Sequence, residues 1–126
     1  MGTSNYTDVT VTSLTVNSYP FSEPTVTALT GNATVTSASG RVVTLNKATA
    51  ITVTLSNPTA TTDDGKRITF VSLNNVQHVI NMAGGFGNGS TGEDAATFSG
   101  VIGDNLTVMA WQCYWYIVGN HQVTVA

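Results

Sequence analysis

Charge is what this sequence has least of: only 9% of its 126 residues are Asp, Glu, Lys or Arg, where an ordinary soluble domain carries about a quarter. A free monomer relies on a charged surface to stay apart from its neighbours, so so little charge suits a chain whose surface is covered by assembly. The only basic residues are Arg41, Lys47, Lys66 and Arg67, and the formal net charge is −3. Phosphate binding needs clustered cations, so nucleic acid is not an expected partner. The single cysteine, Cys113, excludes an internal disulfide and fits a reducing compartment. No cation or orienting group flanks it, so it is expected to be buried and structural. No apolar run approaches the roughly 20 residues that span a bilayer, so no membrane is expected as a partner. The N-terminus lacks the basic and apolar segments of a signal peptide, so the chain is expected to stay in a cytosol or to leave it inside something else.

What is present is threonine alternating with valine. Asp8-Val9-Thr10-Val11-Thr12, Thr25-Val26-Thr27, Thr34-Val35-Thr36 and Ile51-Thr52-Val53-Thr54-Leu55 are the clearest stretches. β-Branched residues at period two make strands with one apolar and one hydroxyl face. No helical period of useful length competes with that signal. The composition suits shape and contact more than chemistry.

Two prolines in Tyr19-Pro20-Phe21-Ser22-Glu23-Pro24 divide the chain, because proline stops strand pairing and favours an extended connector. Residues 1–24 are read as an extended arm and connector with one strand, and residues 25–126 as a β-sandwich domain. Within the arm the apolar positions shift phase between Val9, Val11 and Leu14, Val16, which predicts a bulge or turn at Thr12-Ser13. So thin an arm cannot bury itself and is expected to pack on another chain.

In the domain, strands are expected near Thr25–Leu29, Ala33–Ser37, Arg41–Leu45, Ile51–Leu55, Arg67–Leu73, His78–Met82, Asn105–Trp111, Tyr114–Val118 and Gln122–Val125. Turn residues separate them, among them Ser39-Gly40, Ser56-Asn57-Pro58 and Asp63-Asp64-Gly65. The expected fold class is all-β, an antiparallel sandwich or jelly-roll-like domain. Ala83–Ser99, rich in glycine, is read as a flexible excursion between sheets.

The chemical motifs are weak. Gly87-Asn-Gly89-Ser-Thr-Gly92 satisfies G-x-G-x-x-G, yet Glu93-Asp94 follows where a dinucleotide site needs a helix N-terminus. His78 and His121 have no zinc spacing and are expected to be satisfied or at the surface. Asp63-Asp64 and Glu93-Asp94 supply too few oxygens for calcium, and no carboxylate pair or nucleophile–base pair stands out. No enzymatic activity, cofactor or metal is expected.

Four segments resemble the small β-domains of tailed-bacteriophage virion proteins. Ala48-Thr-Ala-Ile-Thr-Val-Thr-Leu-Ser-Asn-Pro58 is similar to their strand of small residues, alternating V-T-L and proline. Asp64-Gly-Lys-Arg-Ile-Thr-Phe-Val71 resembles the next strand, entered by a glycine turn. Gly103-Asp-Asn-Leu-Thr-Val-Met with Trp115-Tyr-Ile-Val-Gly-Asn120 resembles the closing hairpin. Asn5-Tyr-Thr-Asp-Val-Thr-Val-Thr is similar to the N-terminal arms of short capsid-decoration and head-fibre proteins. These modules occur on capsid cement proteins, head fibres and tail fibres, usually as homotrimers.

The resemblance implies a capsid decoration (cement) protein, made in a bacterial host's cytoplasm and seated on the virion's outer capsid surface as a homotrimer. Its expected partners are the major capsid protein and its own copies. The arm residues Tyr6, Val9, Val11, Leu14, Val16, Tyr19 and Phe21 would bind capsid or protomer. Trp111, Tyr114, Trp115 and Tyr116 would fill the core or protomer contacts, and Gly84, Phe86, Gly89 and Gly92 would form an outward loop. Two other readings stand beside it: a trimeric fibre or spike component that binds a host glycan, and a free lectin-like carbohydrate-binding sandwich.

Overall fold

A computed structural model describes residues 14–16, 19–21, 25–82, 84–87 and 93–126. Among them there is no helix. The short strands β1 (Leu14–Val16) and β2 (Tyr19–Phe21) pair antiparallel as a two-stranded sheet. Pro20 therefore lies within a strand, opposite Thr15, where a connector was expected. A two-stranded sheet is all edge, and an edge tolerates the missing N–H.

The domain is a sandwich of two five-stranded sheets, ordered β11-β10-β7-β5-β3 and β12-β9-β8-β6-β4. Its strands are β3 (Val26–Leu29), β4 (Ala33–Val35), β5 (Val42–Leu45), β6 (Thr52–Leu55), β7 (Arg67–Ser72), β8 (Val79–Asn81), β9 (Ala95–Phe98), β10 (Asn105–Trp111), β11 (Tyr114–His121) and β12 (Val123–Val125). From β3 to β8 the chain alternates between sheets, and each strand lies parallel to the one two before it. The later strands β9, β10, β11 and β12 add antiparallel.

The sheets are thus mixed, where wholly antiparallel ones were expected. Parallel neighbours need a crossover, commonly a helix. Here the crossover between β3 and β5, or β5 and β7, is a strand of the opposite sheet. Short turns between short strands look the same in sequence for either arrangement.

Alternation does the packing. β6 reads exposed–buried–exposed–buried, and β7 and β10 bury every second residue. Val43, Leu45, Ile68, Phe70, Leu106 and Val108 from one sheet meet Val35, Val53, Leu55, Ile80, Ala96 and Phe98 from the other in a continuous core. Each of these side chains larger than alanine contributes on the order of 1.5–3 kcal/mol by leaving water.

Two boundaries differ from expectation. Ala95–Phe98 is a strand in the middle of its sheet, paired to β8 and β12. The segment before it accordingly links two strands of one sheet and does not pass between sheets. In Ala-Ala-Thr-Phe only phenylalanine is bulky, so the alternation carries no contrast. β11 also continues past Val118 to His121. A bulge opposite Thr107 and Val108 absorbs one extra residue there, and Asn120 closes the turn into β12 through both its side-chain atoms and Val123.

Candidate functional site

Charge has been cleared from the sheets. Among the described residues, Arg67 is the only Asp, Glu, Lys or Arg in a strand. The outward positions of β4, β6, β8, β9 and β12 hold Thr34, Thr52, Thr54, Val79, Asn81, Ala95, Thr97 and Thr124. On the other sheet Thr69 and Thr107 bridge β7 and β10 through their hydroxyls at 2.9 Å. Both outer faces are hydroxyl and apolar surfaces.

The β10–β11 hairpin divides the four expected aromatics by strand parity. Trp115 points inward and is fully buried, and its Nε1 donates to the Ser56 carbonyl at 2.8 Å. Trp111 and Tyr114, cross-strand partners at the hairpin's end, are 52% and 45% exposed. Tyr116, partner of Met109, is half-buried. Trp115 is thus a core residue, while Trp111 and Tyr114 are free to meet something else.

Gln112 and Cys113 turn the hairpin with φ of 47° and 72°. Two left-handed residues match the twist of a two-residue β-turn, but Asn-Gly is the usual choice because side chains resist this backbone. Asp64 holds the turn: its carboxylate accepts from the Gln112 backbone N–H at 2.8 Å and from Nε2 at 2.7 Å. Cys113 is exposed at this tip. The expectation of a buried cysteine is corrected, since Cys113 occupies the turn and not a strand.

The expected outer loop is corrected as well. Phe86 is 4% exposed and belongs to the core. Its N–H donates to the Glu93 carbonyl at 2.8 Å, and the Gly87 N–H to the Trp115 carbonyl at 2.9 Å. Gly84 lies against the Asn57 side chain and Gly87 against the Tyr116 ring, where an added Cβ would come within 2.6 Å of ring carbon. Close approach, not mobility, explains these two glycines. Gly87→Ala is expected to destabilise by about 1–3 kcal/mol; an unchanged denaturant midpoint would show that the ring can move aside. Gly89 and Gly92 lie outside the described residues.

So do Tyr6, Val9, Val11 and the phase shift at Thr12-Ser13. Of the other arm residues, Leu14 pairs with Phe21 and Val16 with Tyr19 across β1–β2.

Two further carboxylates, Asp63 and Asp104, serve the fold. Asp63 accepts from Lys66 Nζ at 2.8 Å and the Thr59 N–H at 2.7 Å, and these bonds hold its carboxyl at about 2. Asp104 is buried, which raises its pKa, but bonds from Ser99 Oγ, Val101 N–H and Gly100 N–H outweigh that and leave it lowered. His121 is exposed. His78 is fully buried: Nδ1 accepts from the Ile51 N–H at 3.0 Å, and Nε2 has no partner. It is half satisfied, where a satisfied or surface histidine was expected. Among the described residues no three His, Cys, Asp or Glu side chains gather as a metal site.

Asp64 and Arg67 were legible only as a turn residue and a strand-start residue. Asp64's role depends on a contact with Gln112, 48 positions along the chain. The candidate site is therefore the hairpin tip, Trp111 and Tyr114 beside the turn that Asp64 anchors through Gln112, on a sheet face whose one charged side chain among the described residues is Arg67. No family model matches this chain, and no curated protein matches it.

Proposed function

We propose that this chain is a structural virion protein of a bacteriophage, a capsid decoration protein that sits on the outer capsid surface as a homotrimer and stabilises the head. One observation carries the reading: among the described residues the strands hold a single Asp, Glu, Lys or Arg, Arg67. Broad faces of threonine and valine can approach another surface without desolvating charge, whose removal from water costs far more than that of a hydroxyl. Thr–Thr hydrogen bonds and β-branched packing then stabilise the contact. Three of the four virion-like segments support it further, because they fall on β6, on the turn and strand of β7, and on the β10–β11 hairpin; the fourth lies outside the described residues. Packaged DNA pushes a shell outward, and a trimer bridging several capsid subunits adds interface that rupture must also break. No step of chemistry is required of the chain.

The arm would reach the capsid. Removing residues 1–24 is expected to abolish capsid binding while the domain keeps its circular dichroism; retained binding would overturn the assignment. Counting copies of the chain per major capsid subunit in purified particles is the direct test. Near-lattice stoichiometry is the expected result. A few copies per particle would favour the spike reading, for which the exposed Trp111–Tyr114 pair is the specific support.

A further inference from the structure

The outward side of the β10–β11 hairpin is laid out in rows. Trp111 faces Tyr114 at the tip. The next row inward is Arg67, Met109 and Tyr116, and beyond it the bridged hydroxyls of Thr69 and Thr107 end the apolar patch. Arg67 has no ion-pair or hydrogen-bond partner among the described residues. It sits diagonal to Trp111, a spacing that long side chains cross easily. Gly65 comes alongside the tip, donating to the Ala110 carbonyl, and the space where its side chain would be is open.

The tip is also fixed. Gln112 and Cys113 both lie in left-handed backbone, and Gln112 is anchored there by the two hydrogen bonds it donates to the Asp64 carboxylate. Preorganisation of this kind favours binding, because little freedom is lost when a ligand arrives.

We propose that the hairpin tip is a saccharide platform: Trp111 and Tyr114 stack on the apolar face of a sugar ring, and Arg67 pairs with a carboxylate on that sugar. The ligand class is an acidic saccharide of the uronic or sialic type. Size selects it over a protein partner. Two half-exposed rings together offer roughly the 150–250 Å² of one aromatic side chain, which matches one or two sugars and falls far short of the ~800 Å² that each side of a stable protein interface contributes. Charge selects an acidic sugar over a neutral one, since a lone guanidinium among aromatics is a ready partner for a planar carboxylate. Gln112 and the Tyr114 hydroxyl can bond ring hydroxyls at the rim. The platform does not depend on the decoration role, because saccharide binding and particle stoichiometry are separate measurements.

Saturation-transfer NMR on the full chain, read on ligand protons, tests it. The probes are oligogalacturonate, oligoglucuronate and sialyllactose, each beside its neutral counterpart. Transfer to the ring C–H protons of an acidic probe is expected. Trp111→Ala and Tyr114→Ala should each weaken it roughly tenfold or more with unchanged circular dichroism. Arg67→Gln should weaken acidic binding about tenfold and leave neutral binding as it was. Asp64→Ala, which removes the anchor and no ligand contact, should weaken all binding through the loosened tip. Absence of transfer from every acidic probe overturns the proposal, as does equal binding of neutral sugars or insensitivity to Trp111→Ala. A drop in mass by light scattering for Trp111→Ala or Tyr114→Ala also overturns it, because the rings then pack a second copy.

Discussion

Trp115→Ala is expected to cost about 3–5 kcal/mol, the range for removing a large aromatic from a packed interior. Domains are stable by only about 5–15 kcal/mol, so this variant should sit near the edge of folding. The reason lies in what Trp115 joins. Its ring is fully buried, on the residue paired with Ala110 across the hairpin. Its Nε1 donates to Ser56, which directly follows β6 in the other sheet. Its carbonyl receives the Gly87 N–H, which docks the segment carrying Phe86. One residue thus ties both sheets and a loop. Trp115→Phe separates the contributions: it keeps most of the packing but strands the Ser56 carbonyl, at about 1–3 kcal/mol. Trp111→Ala, four residues earlier on the exposed face, should stay within about 0.5 kcal/mol. Guanidinium unfolding of the three variants reads the differences directly. Similar costs for Trp111 and Trp115 would refute the division of this hairpin into a core face and a free face.

Acid should be the second large perturbation. His78 lies fully buried with Nδ1 accepting the Ile51 N–H. That bond requires a neutral ring with its proton on Nε2. A second proton would have to enter at Nδ1, break the bond and bring a charge into the core. Burial accordingly lowers the His78 pKa from the usual 6.5. A base with a depressed folded-state pKa contributes stability that is fully present above its unfolded value, 6.5. The loss begins as pH falls below that value and ends at the folded-state pKa, at about 1.4 kcal/mol per pH unit between them. Asp63 does not add to the decline in this range, because its own contribution is lost only between the usual 3.8 and about 2. Urea midpoints measured from pH 7.5 to 4.5 should decline through this window. His78→Asn keeps an acceptor near Nδ1 and loses the titration, so it should be less stable at pH 7.5 yet flatter with pH. A variant with the same slope as the native protein would place the acid sensitivity elsewhere.

The contrast between His78 and Trp115 shows how far the sequence could be read. Period-two threonine and valine locate nine of the domain's ten strands, because a half-buried strand needs that alternation and nothing else in the chain produces it. Ala95–Phe98 escaped because its alanines give the pattern no contrast. The aromatic cluster at 111–116 pointed to the hairpin that forms the candidate site. Which ring faces the core depends on parity about the two-residue turn, and Gln112-Cys113 carries none of the Asn-Gly chemistry that marks such a turn in a sequence. His78 read as an ordinary strand histidine, since its acceptor bond comes from Ile51 in another strand's approach.

By itself, then, the sequence determined an all-β, low-charge, two-faced domain, because side-chain alternation and charge content are local properties. Tertiary structure decided the rest: parallel coiling between sheets, Phe86 in the core, Cys113 at an exposed turn and Arg67 diagonal to Trp111 across the strands. Each of these depends on which strands become neighbours. That choice is made by backbone hydrogen bonds between residues far apart in the chain, and those bonds are nearly indifferent to side-chain identity.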